Sequence, residues 1–197
     1  KIRVILSGLW LDELESVDKL KSVREKCIIY AGGISPRKNQ LGLIRAARLL
    51  KCPVKIIGQV SVGSKAYAKQ VYREAPDNVE FLGPLSRVEV LKHMGRSCVY
   101  CQPGFIETPG LSSLEAGAMG CHLVASDVGP VKEYFGEGVT YIDPRDPESI
   151  AQGINIALVK TEVDLNFVAF IRSQYEWKHV LRPLDSLIGF LGNSSDT

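Results

Sequence analysis

The chain has 197 residues, of which 45% are apolar and 23% charged, and its formal net charge is +2. These values are typical of a folded globular protein with enough length for one well-buried domain. So small a charge, without a block of Lys and Arg interleaved with aromatic residues, argues against a nucleic-acid partner. No apolar run is long enough for a bilayer span, and we expect neither a span nor a secretory signal.

The cysteines indicate the redox environment of the protein, and the first residue bears on whether the chain is a piece of a longer one. The five cysteines lie in apolar segments: Cys27, Cys52, Cys98, Cys101 and Cys121. An odd number favours reduced thiols of a cytoplasmic protein over a disulfide framework. Cys98-Val-Tyr-Cys101 matches C-x-x-C, but no second such pair follows, so we expect packed thiols and no metal. Because Lys1 rather than Met opens the chain, we expect a piece of a longer protein.

The chain begins with a segment of mixed character. We assign residues 1–26 to a linker or N-terminal extension, in which "KIRVILSG" is an added strand or a linker. The next stretch, "LDELESVDKLKSVRE", is a surface helix or a poorly ordered insert.

Residues 27–160 alternate short apolar runs with amphipathic segments. The apolar runs each end in a turn signal and predict strands buried on both faces: "CIIYAGG", "PVKIIG", "NVEFLG", "SCVYCQPG", "CHLVASDVG" and "GVTYID". Between them, helical spacing predicts helices, and Ser86 with Glu89 predicts a capping box at one start. The pattern indicates an α/β fold with a Rossmann-like parallel sheet of about six strands and helices on both faces. From residue 161 to 197 we expect C-terminal helices that pack on the same domain.

The first turn that faces a ligand in this fold is "YAGGISPRKNQ". In open α/β sheets, ligands bind at the carboxyl ends of the strands. Gly32 and Gly33 allow close approach of a ligand, and Arg37 and Lys38, where a helix is expected to begin, add cations. The spacing matches no standard phosphate-loop pattern, so a plain turn followed by solvated charges remains an alternative.

Two further turns lie at the same edge. "FLGPLSR" can offer backbone groups to a flat ring. In "GFIETPGLSSLEAGAMG", a helix is expected from about Leu111 or Ser112 through Met119, with free first-turn amides that favour an anion. Glu115 and Glu107 would flank that anion and accept from hydroxyl groups. The alternative is a capping box, in which Glu115 only bonds back to the helix start.

Five segments, in order, resemble the retaining glycosyltransferases of family 4, whose fold is GT-B. They are "YAGGISPRKNQLGLIRAARLL", "VKIIGQ", "NVEFLGPLSRVEVLKHM", "GFIETPGLSSLEAGAMGCHLVAS" with its E-x(7)-E pattern, and "VGPVKEYFGEGVTYIDPRDPESIAQGI". The resemblance covers roughly residues 27–158. It implies the C-terminal, donor-binding half of such an enzyme, with the acceptor-binding N-terminal half missing and no activity alone.

The resemblance also implies roles for individual residues. Lys38 would bind the donor diphosphate, Glu115 the ribose and Glu107 the transferred sugar. The remaining donor contacts would come from Gly32, Gly33, Arg37, Leu85, Gly110, Leu111 and Ser112. The donor would be a UDP- or GDP-linked sugar, bound without a metal or cofactor, and the acceptor a glycan or lipid. Any association with the cytoplasmic face of a membrane would occur through the missing half.

Two positions depart from the family pattern. Gly33 stands where the family usually has Arg, and Arg37 is a nearby candidate to compensate. His122 stands where the family usually has Pro, and we expect it to open a strand. Gly33 therefore keeps open a second function, a non-catalytic nucleotide-sugar-binding or interaction module with the same fold. A sugar-nucleotide epimerase half, which shares the architecture, is a third alternative that the Glu107–Glu115 segment disfavours.

Overall fold

The computed structural model describes residues 6–18, 24–108, 110–160 and 162–184. Its centre is a parallel six-stranded sheet with strand order β3-β2-β1-β4-β5-β6. The strands are β1 (Glu25–Ala31), β2 (Val54–Ile57), β3 (Val79–Gly83), β4 (Ser97–Gln102), β5 (His122–Ser126) and β6 (Thr140–Ile142). The order reverses between β1 and β4, so the crevice between their carboxyl ends is the expected ligand position.

Helices connect these strands on both faces of the sheet. In the described part of the chain they are α1 (Leu11–Asp18), α2 (Gln40–Ala47), α3 (Lys65–Glu74), α4 (Arg87–Arg96), α5 (Leu111–Ala118), α6 (Val131–Phe135), α7 (Pro147–Leu158), α8 (Leu165–Tyr175) and α9 (Trp177–Val180). Short 3-10 helices cover Pro36–Lys38 and Gly136–Gly138. The capping box expected at α4 is present, because Ser86 accepts from the Glu89 amide and Glu89 accepts from the Ser86 amide.

Each face of the sheet has its own apolar core. Side chains of α2, α3 and α7 cover one face, where Ile44, Val71 and Ile154 are fully buried. Side chains of α1, α4, α5 and α8 cover the other. The predicted α/β class with helices on both faces is therefore confirmed. We expected every strand to be buried on both faces. This is wrong for β3 and β6, which are mostly half-buried because they are the edge strands of the sheet.

The two ends of the described chain contact each other. The Leu9 amide donates to the Tyr175 carbonyl, and the Trp177 amide donates to the Leu9 carbonyl over 3.2 Å. Leu9 forms an isolated bridge with Glu176 and does not extend the sheet. Residues 1–5, part of the "KIRVILSG" prediction, lie outside the described residues, as do residues 185–197. The domain limits at residues 26 and 160 stay predictions.

The segment after the chain start is a helix with a buried face. Leu14 and Val17 of α1 are buried in the core that α1 shares with α4. The alternative of a poorly ordered insert is therefore wrong for residues 11–18. The alternative of a surface helix is right only for the outer side of α1. None of the helices in the described ranges is long and apolar enough to cross a membrane.

The cysteines of this fold are free thiols. Cys101 is buried in the core between the sheet and the helices α2, α3 and α7, and Cys98 packs against that core. Burial raises the pKa of Cys121 to about 12, so this thiol is inert at neutral pH. The prediction of packed thiols is confirmed.

His122 begins β5 as expected, and it gives the fold a pH dependence. Burial lowers the pKa of His122, and the charges of Lys160 and Arg24 lower it further. The unfolded chain therefore binds a proton at a higher pH than the folded chain, and stability rises with pH across that window.

We expect the free energy of unfolding to fall as the pH drops from 7.5 to 5.5, and to fall less in His122→Gln. Some dependence should remain, because burial also lowers the pKa of His93. Urea unfolding of both proteins at the two pH values measures this difference. Equal pH dependence in the two proteins would contradict the assignment.

Candidate functional site

The candidate site lies at the carboxyl ends of β1 and β4. Backbone contacts join the turn after β1 to the loop after β4. The Phe105 amide donates to the Arg37 carbonyl over 2.9 Å, and Arg37 Nη1 donates to the Ile106 carbonyl over 3.2 Å. Two segments that are 69 residues apart along the chain therefore form one rim of the crevice.

An ion pair closes this rim. Lys38 Nζ lies 2.8 Å from both Oε1 and Oε2 of Glu107. The Glu107 side chain is 3% exposed, and that of Lys38 is 20% exposed. Bidentate pairing to a cation is what makes burial of the Glu107 carboxylate tolerable. The structure thus brings together two of the residues that the sequence had singled out, and it pairs them with each other.

Gly104 makes room for the Glu107 carboxylate. A Cβ atom at position 104 would lie 2.6 Å from Glu107 Oε1 and 3.2 Å from its Cγ. No side chain fits there while the carboxylate stays on Lys38. The glycine is therefore part of the ion-pair geometry.

The first turn differs in detail from the expectation. Arg37 and Lys38 lie in the 3-10 helix Pro36–Lys38, and α2 begins two residues after Lys38, at Gln40. The expectation that a helix begins at Arg37 and Lys38 is wrong for α2. Its N-cap is Asn39, a left-handed residue (φ 53°) whose side chain accepts from the Gly42 amide. Lys38 therefore acts at this site as a cation on a tight turn, without help from the α2 helix end.

Asn39 also organises the edge of the sheet. It is 5% exposed, and its Nδ2 donates to the carbonyls of Pro103 (2.9 Å) and Pro144 (2.7 Å). One side chain thus holds the loops after β1, β4 and β6 together. Sequence reasoning missed it, although Asn directly before an amphipathic segment is a standard N-cap signal.

Gly33 leaves little room for a side chain, because Ser61 lies against it. A Cβ atom on Gly33 would lie 2.6 Å from Ser61 Oγ. Ser61 belongs to the loop after β2, and its amide donates to the Ile34 carbonyl over 3.0 Å. Gly32 precedes Gly33 at the end of β1, and its amide donates to the Ile57 carbonyl over 2.9 Å. Gly33 therefore packs against the loop that follows β2, and Gly32 bonds to the last residue of β2.

Helix α5 presents its N-terminus to the same crevice. Gly110 is the N-cap with a φ of 80°, and its carbonyl accepts from the Ser113 amide over 2.9 Å. The amides of Leu111 and Ser112 are first-turn donors, which have no partner within a helix. The α5 start at Leu111 agrees with the expected position. These amides and the helix dipole favour an anion in front of α5.

Gln102 lies directly beneath Gly110. Its side chain is in the space that a Cβ atom on Gly110 would need. Gln102 is 5% exposed, and its Oε1 has no hydrogen-bond partner among the described residues. Because Gly110 has no Cβ atom, the N-terminus of α5 can pack closely against Gln102 at the end of β4.

Glu115 does not cap α5. Gly110 is the N-cap and has no side-chain cap, and Oε1 of Glu115 accepts from Arg87 Nη1 over 2.7 Å. Arg87 Nε also donates to Glu13 Oε2 over 2.5 Å. The capping-box alternative for Ser112 and Glu115 is therefore wrong. Sequence reasoning had no local signal for Arg87, which lies 28 residues from Glu115.

Leu85 completes the rim on the loop between β3 and α4. It is half-buried and packs against the core on the α4 and α5 side. Its neighbour Ser86 starts the capping box that fixes this loop. The loop is therefore held in place at the edge of the crevice by Leu85 and by the capping box.

In chemical terms, the site combines the amide donors of α5, the cations Lys38, Arg37 and Arg87, and the carboxylates Glu107 and Glu115. The α5 amides and Lys38 favour an anion, while the carboxylates of Glu107 and Glu115 are acceptors that favour hydroxyl donors. A ligand with both a diphosphate and hydroxyl groups matches this arrangement. Among the residues that the structure describes, no group of three His, Cys, Asp or Glu side chains is placed to hold a metal ion.

Comparison with known proteins identifies the family of the chain. Residues 12–174 match the family described as glycosyl transferases group 1. The chain belongs to that family. The D-inositol 3-phosphate glycosyltransferase of Mycolicibacterium smegmatis is 29% identical over 81% of the chain and 39% of its own length. The chain thus spans about two fifths of the length of this relative.

Solved structures of other proteins share the fold of this glycosyl transferase family member. Anabaena HepE, solved in complex with UDP, superposes with a TM-score of 0.83 at 19% identity, covering 95% of this chain and 57% of HepE. The C-terminal domain of LpcC, a group 1 glycosyl transferase of Francisella tularensis, gives a TM-score of 0.68 at 17% identity, covering 88% of this chain and 97% of that domain. The fold is that of a C-terminal GT-B domain.

Gly104→Ala tests the Lys38–Glu107 geometry. We expect the new Cβ to displace Glu107 and to destabilise the fold by about 1–3 kcal/mol, because a charged hydrogen bond is lost from a buried carboxylate. Urea unfolding measures the change, and Gly95→Ala is the control. Gly95 lies within α4, where its Cβ would meet only the end of Met119, so that variant should be at least as stable as the parent. Wild-type stability of Gly104→Ala would contradict the proposed role of Gly104.

Proposed function

We propose that this chain is the donor-binding half of a retaining glycosyltransferase that uses a nucleoside-diphosphate sugar. One observation carries the proposal. At the reversal point of the sheet, the loop that carries Glu107 of the Lys38–Glu107 pair leads into the α5 N-terminus with its Leu111 and Ser112 amides, and Glu115 follows one turn into α5. Anion donors flanked by hydroxyl acceptors fit the diphosphate and sugars of such a donor.

In this proposal, the α5 amides and Lys38 bind the diphosphate. Lys38 has a third N–H to donate while it remains on Glu107, since an ammonium group carries three donors. These groups would stabilise the negative charge that develops on the leaving diphosphate, which is the main protein contribution expected in such transfers. No metal or cofactor is part of this proposal.

The carboxylates and the β3–α4 loop hold the rest of the donor. Glu115 accepts from the ribose, Glu107 contacts the transferred sugar, and Leu85 packs against the base. Arg37 and the turn at Gly32 and Gly33 line the phosphate side. The likeness of the fold to HepE, which was solved with UDP, supports a nucleotide as the ligand. The base is uracil or guanine in this proposal.

The activity belongs to a longer protein in this proposal. Support comes from the length of the relative in Mycolicibacterium smegmatis, of which the chain spans 39%. An N-terminal, acceptor-binding half would supply the glycan or lipid-linked acceptor and any contact with a membrane. Free cysteines in the described part of the chain suit the reducing cytoplasm, where we place the protein. Alone, this chain should transfer no sugar.

A second function has one observation in its favour. Gly33 replaces the arginine that the sequence resemblance leads one to expect, and Ser61 Oγ lies where a side chain would begin. Arg37, the candidate to compensate, donates to the Ile106 carbonyl. A non-catalytic nucleotide-sugar-binding module would tolerate this loss of positive charge.

Calorimetric titration of the chain with UDP, GDP and ADP and with their sugars tests donor binding. We expect UDP or GDP compounds to bind weakly, because in this proposal the chain supplies only half of the crevice and the N-terminal half supplies the rest. A folded sample that binds none of them would overturn the proposal. If the full-length protein binds donor but transfers sugar to no glycan or lipid acceptor, the non-catalytic function is favoured.

Glu115→Gln separates a ligand role from a structural one. We expect affinity for UDP or GDP to fall about five-fold or more, because a charged acceptor of a ribose hydrogen bond is lost. The control is Glu74→Gln, since Glu74 pairs with Arg45 on the far side of α2 much as Glu115 pairs with Arg87. Calorimetry and urea unfolding of both variants decide the matter. Equal affinities would argue that Glu115 only supports the fold.

A further inference from the structure

We propose that Arg87 is a positioning residue for the ribose of the donor, acting through Glu115. This inference rests on the proposed function and adds to it a residue that the E-x(7)-E resemblance does not include. Arg87 holds one oxygen of the Glu115 carboxylate, so that the other oxygen faces the ribose hydroxyls. It is held in turn from its other side by Glu13 of α1.

The geometry is that of a fork between two carboxylates. Nη1 of Arg87 lies 2.7 Å from Glu115 Oε1, and Nε lies 2.5 Å from Glu13 Oε2. The three residues belong to α4, α5 and α1, which share one core. Because the guanidinium group is planar and its donors point in fixed directions, two partners on opposite sides fix its orientation.

The place of Arg87 in α4 makes a helix-stabilising role a poor explanation. Arg87 is the first residue of α4, where the positive end of the helix dipole disfavours a cation. The helix start is already satisfied by the Ser86–Glu89 capping box, which does not use the Arg87 side chain. The short contacts of Arg87 therefore point outward from its own helix, to Glu115 and Glu13.

Exposure distinguishes the two ion pairs of the fork. The side chains of Arg87 and Glu13 are each 48% exposed, and solvent screens such a pair to a small contribution. The Glu115 side chain is only 10% exposed, so its carboxylate needs a partner. Holding Glu115 is thus the more consequential of the two contacts of Arg87.

The free oxygen of Glu115 defines what the pair can recognise. Among the described residues, Arg87 is the donor to Oε1, and none donates to Oε2. A vicinal diol can donate one hydroxyl to Oε2. Without Arg87, no hydrogen bond would fix the rotamer of Glu115. Its Oε2 would then no longer be directed at the ribose hydroxyls.

The test is calorimetric titration with UDP and GDP and with their 2′-deoxy and 3′-deoxy forms. In the parent chain, at least one deoxy form should bind several-fold more weakly than the ribonucleotide. In Arg87→Ala, affinity for the ribonucleotide should fall about five-fold, as for one lost hydrogen bond, and the deoxy penalty should shrink toward none. In Arg87→Lys, the deoxy nucleotides should still bind somewhat more weakly than the ribonucleotide. In Glu13→Gln, the deoxy penalty should decrease less than in Arg87→Ala.

Arg45→Ala is the matched control. Its side chain is 47% exposed and its Nε pairs with Glu74, so it loses a similar surface contact far from the crevice. This variant should keep both the affinity and the deoxy penalty. An unchanged deoxy penalty in Arg87→Ala would overturn the inference. Tighter binding of the ribonucleotide by Arg87→Ala would also overturn it, because it would show that Arg87 competes with the ribose for Glu115.

A ligand-free measurement separates this inference from the proposed function. A double-mutant cycle of Arg87→Ala and Glu115→Gln in urea unfolding should show coupling between the two side chains. If the parent chain binds no nucleotide, the proposed function fails, while coupling would still support the contact that positions Glu115. Absence of coupling would overturn the inference even if nucleotide binds.

Discussion

The bidentate ion pair between Lys38 and Glu107 is the interaction on which the crevice depends. It joins the turn after β1 to the loop after β4, two segments that have no sequence proximity. A carboxylate as buried as that of Glu107 is costly to leave unpaired, so the pair holds both segments in place. Gly104 and Asn39 serve the same end, one by leaving space for the carboxylate and the other by binding the neighbouring carbonyls.

A second consequence is that the charges of the site are balanced before any ligand arrives. Glu107 is paired with Lys38 and Glu115 with Arg87, so neither carboxylate confronts an incoming diphosphate as a bare charge. The amides at the α5 start then provide the attraction for the anion through fixed dipoles. Dipoles that are held by the fold need little reorganisation when the ligand binds, which is the property that favours catalysis in such sites.

The parts of the chain outside the sheet are also joined to the site. Helix α1 contributes Glu13 to the Arg87 fork and buries Leu14 and Val17 beside α4. The C-terminal helices close on α1 through Leu9 and Trp177.

The sequence by itself determined the strands, the helices on both faces and the edge at which the site lies, because buried parallel strands leave a strong apolar pattern. It also singled out Lys38, Glu107 and Glu115 as candidates. Only the tertiary structure decided their partners: Lys38 with Glu107, and Arg87 with Glu115 in place of a helix cap. Local spacing could not reveal these pairs, since each joins residues from separate elements, and ion-pair choice depends on distance and burial in the folded chain.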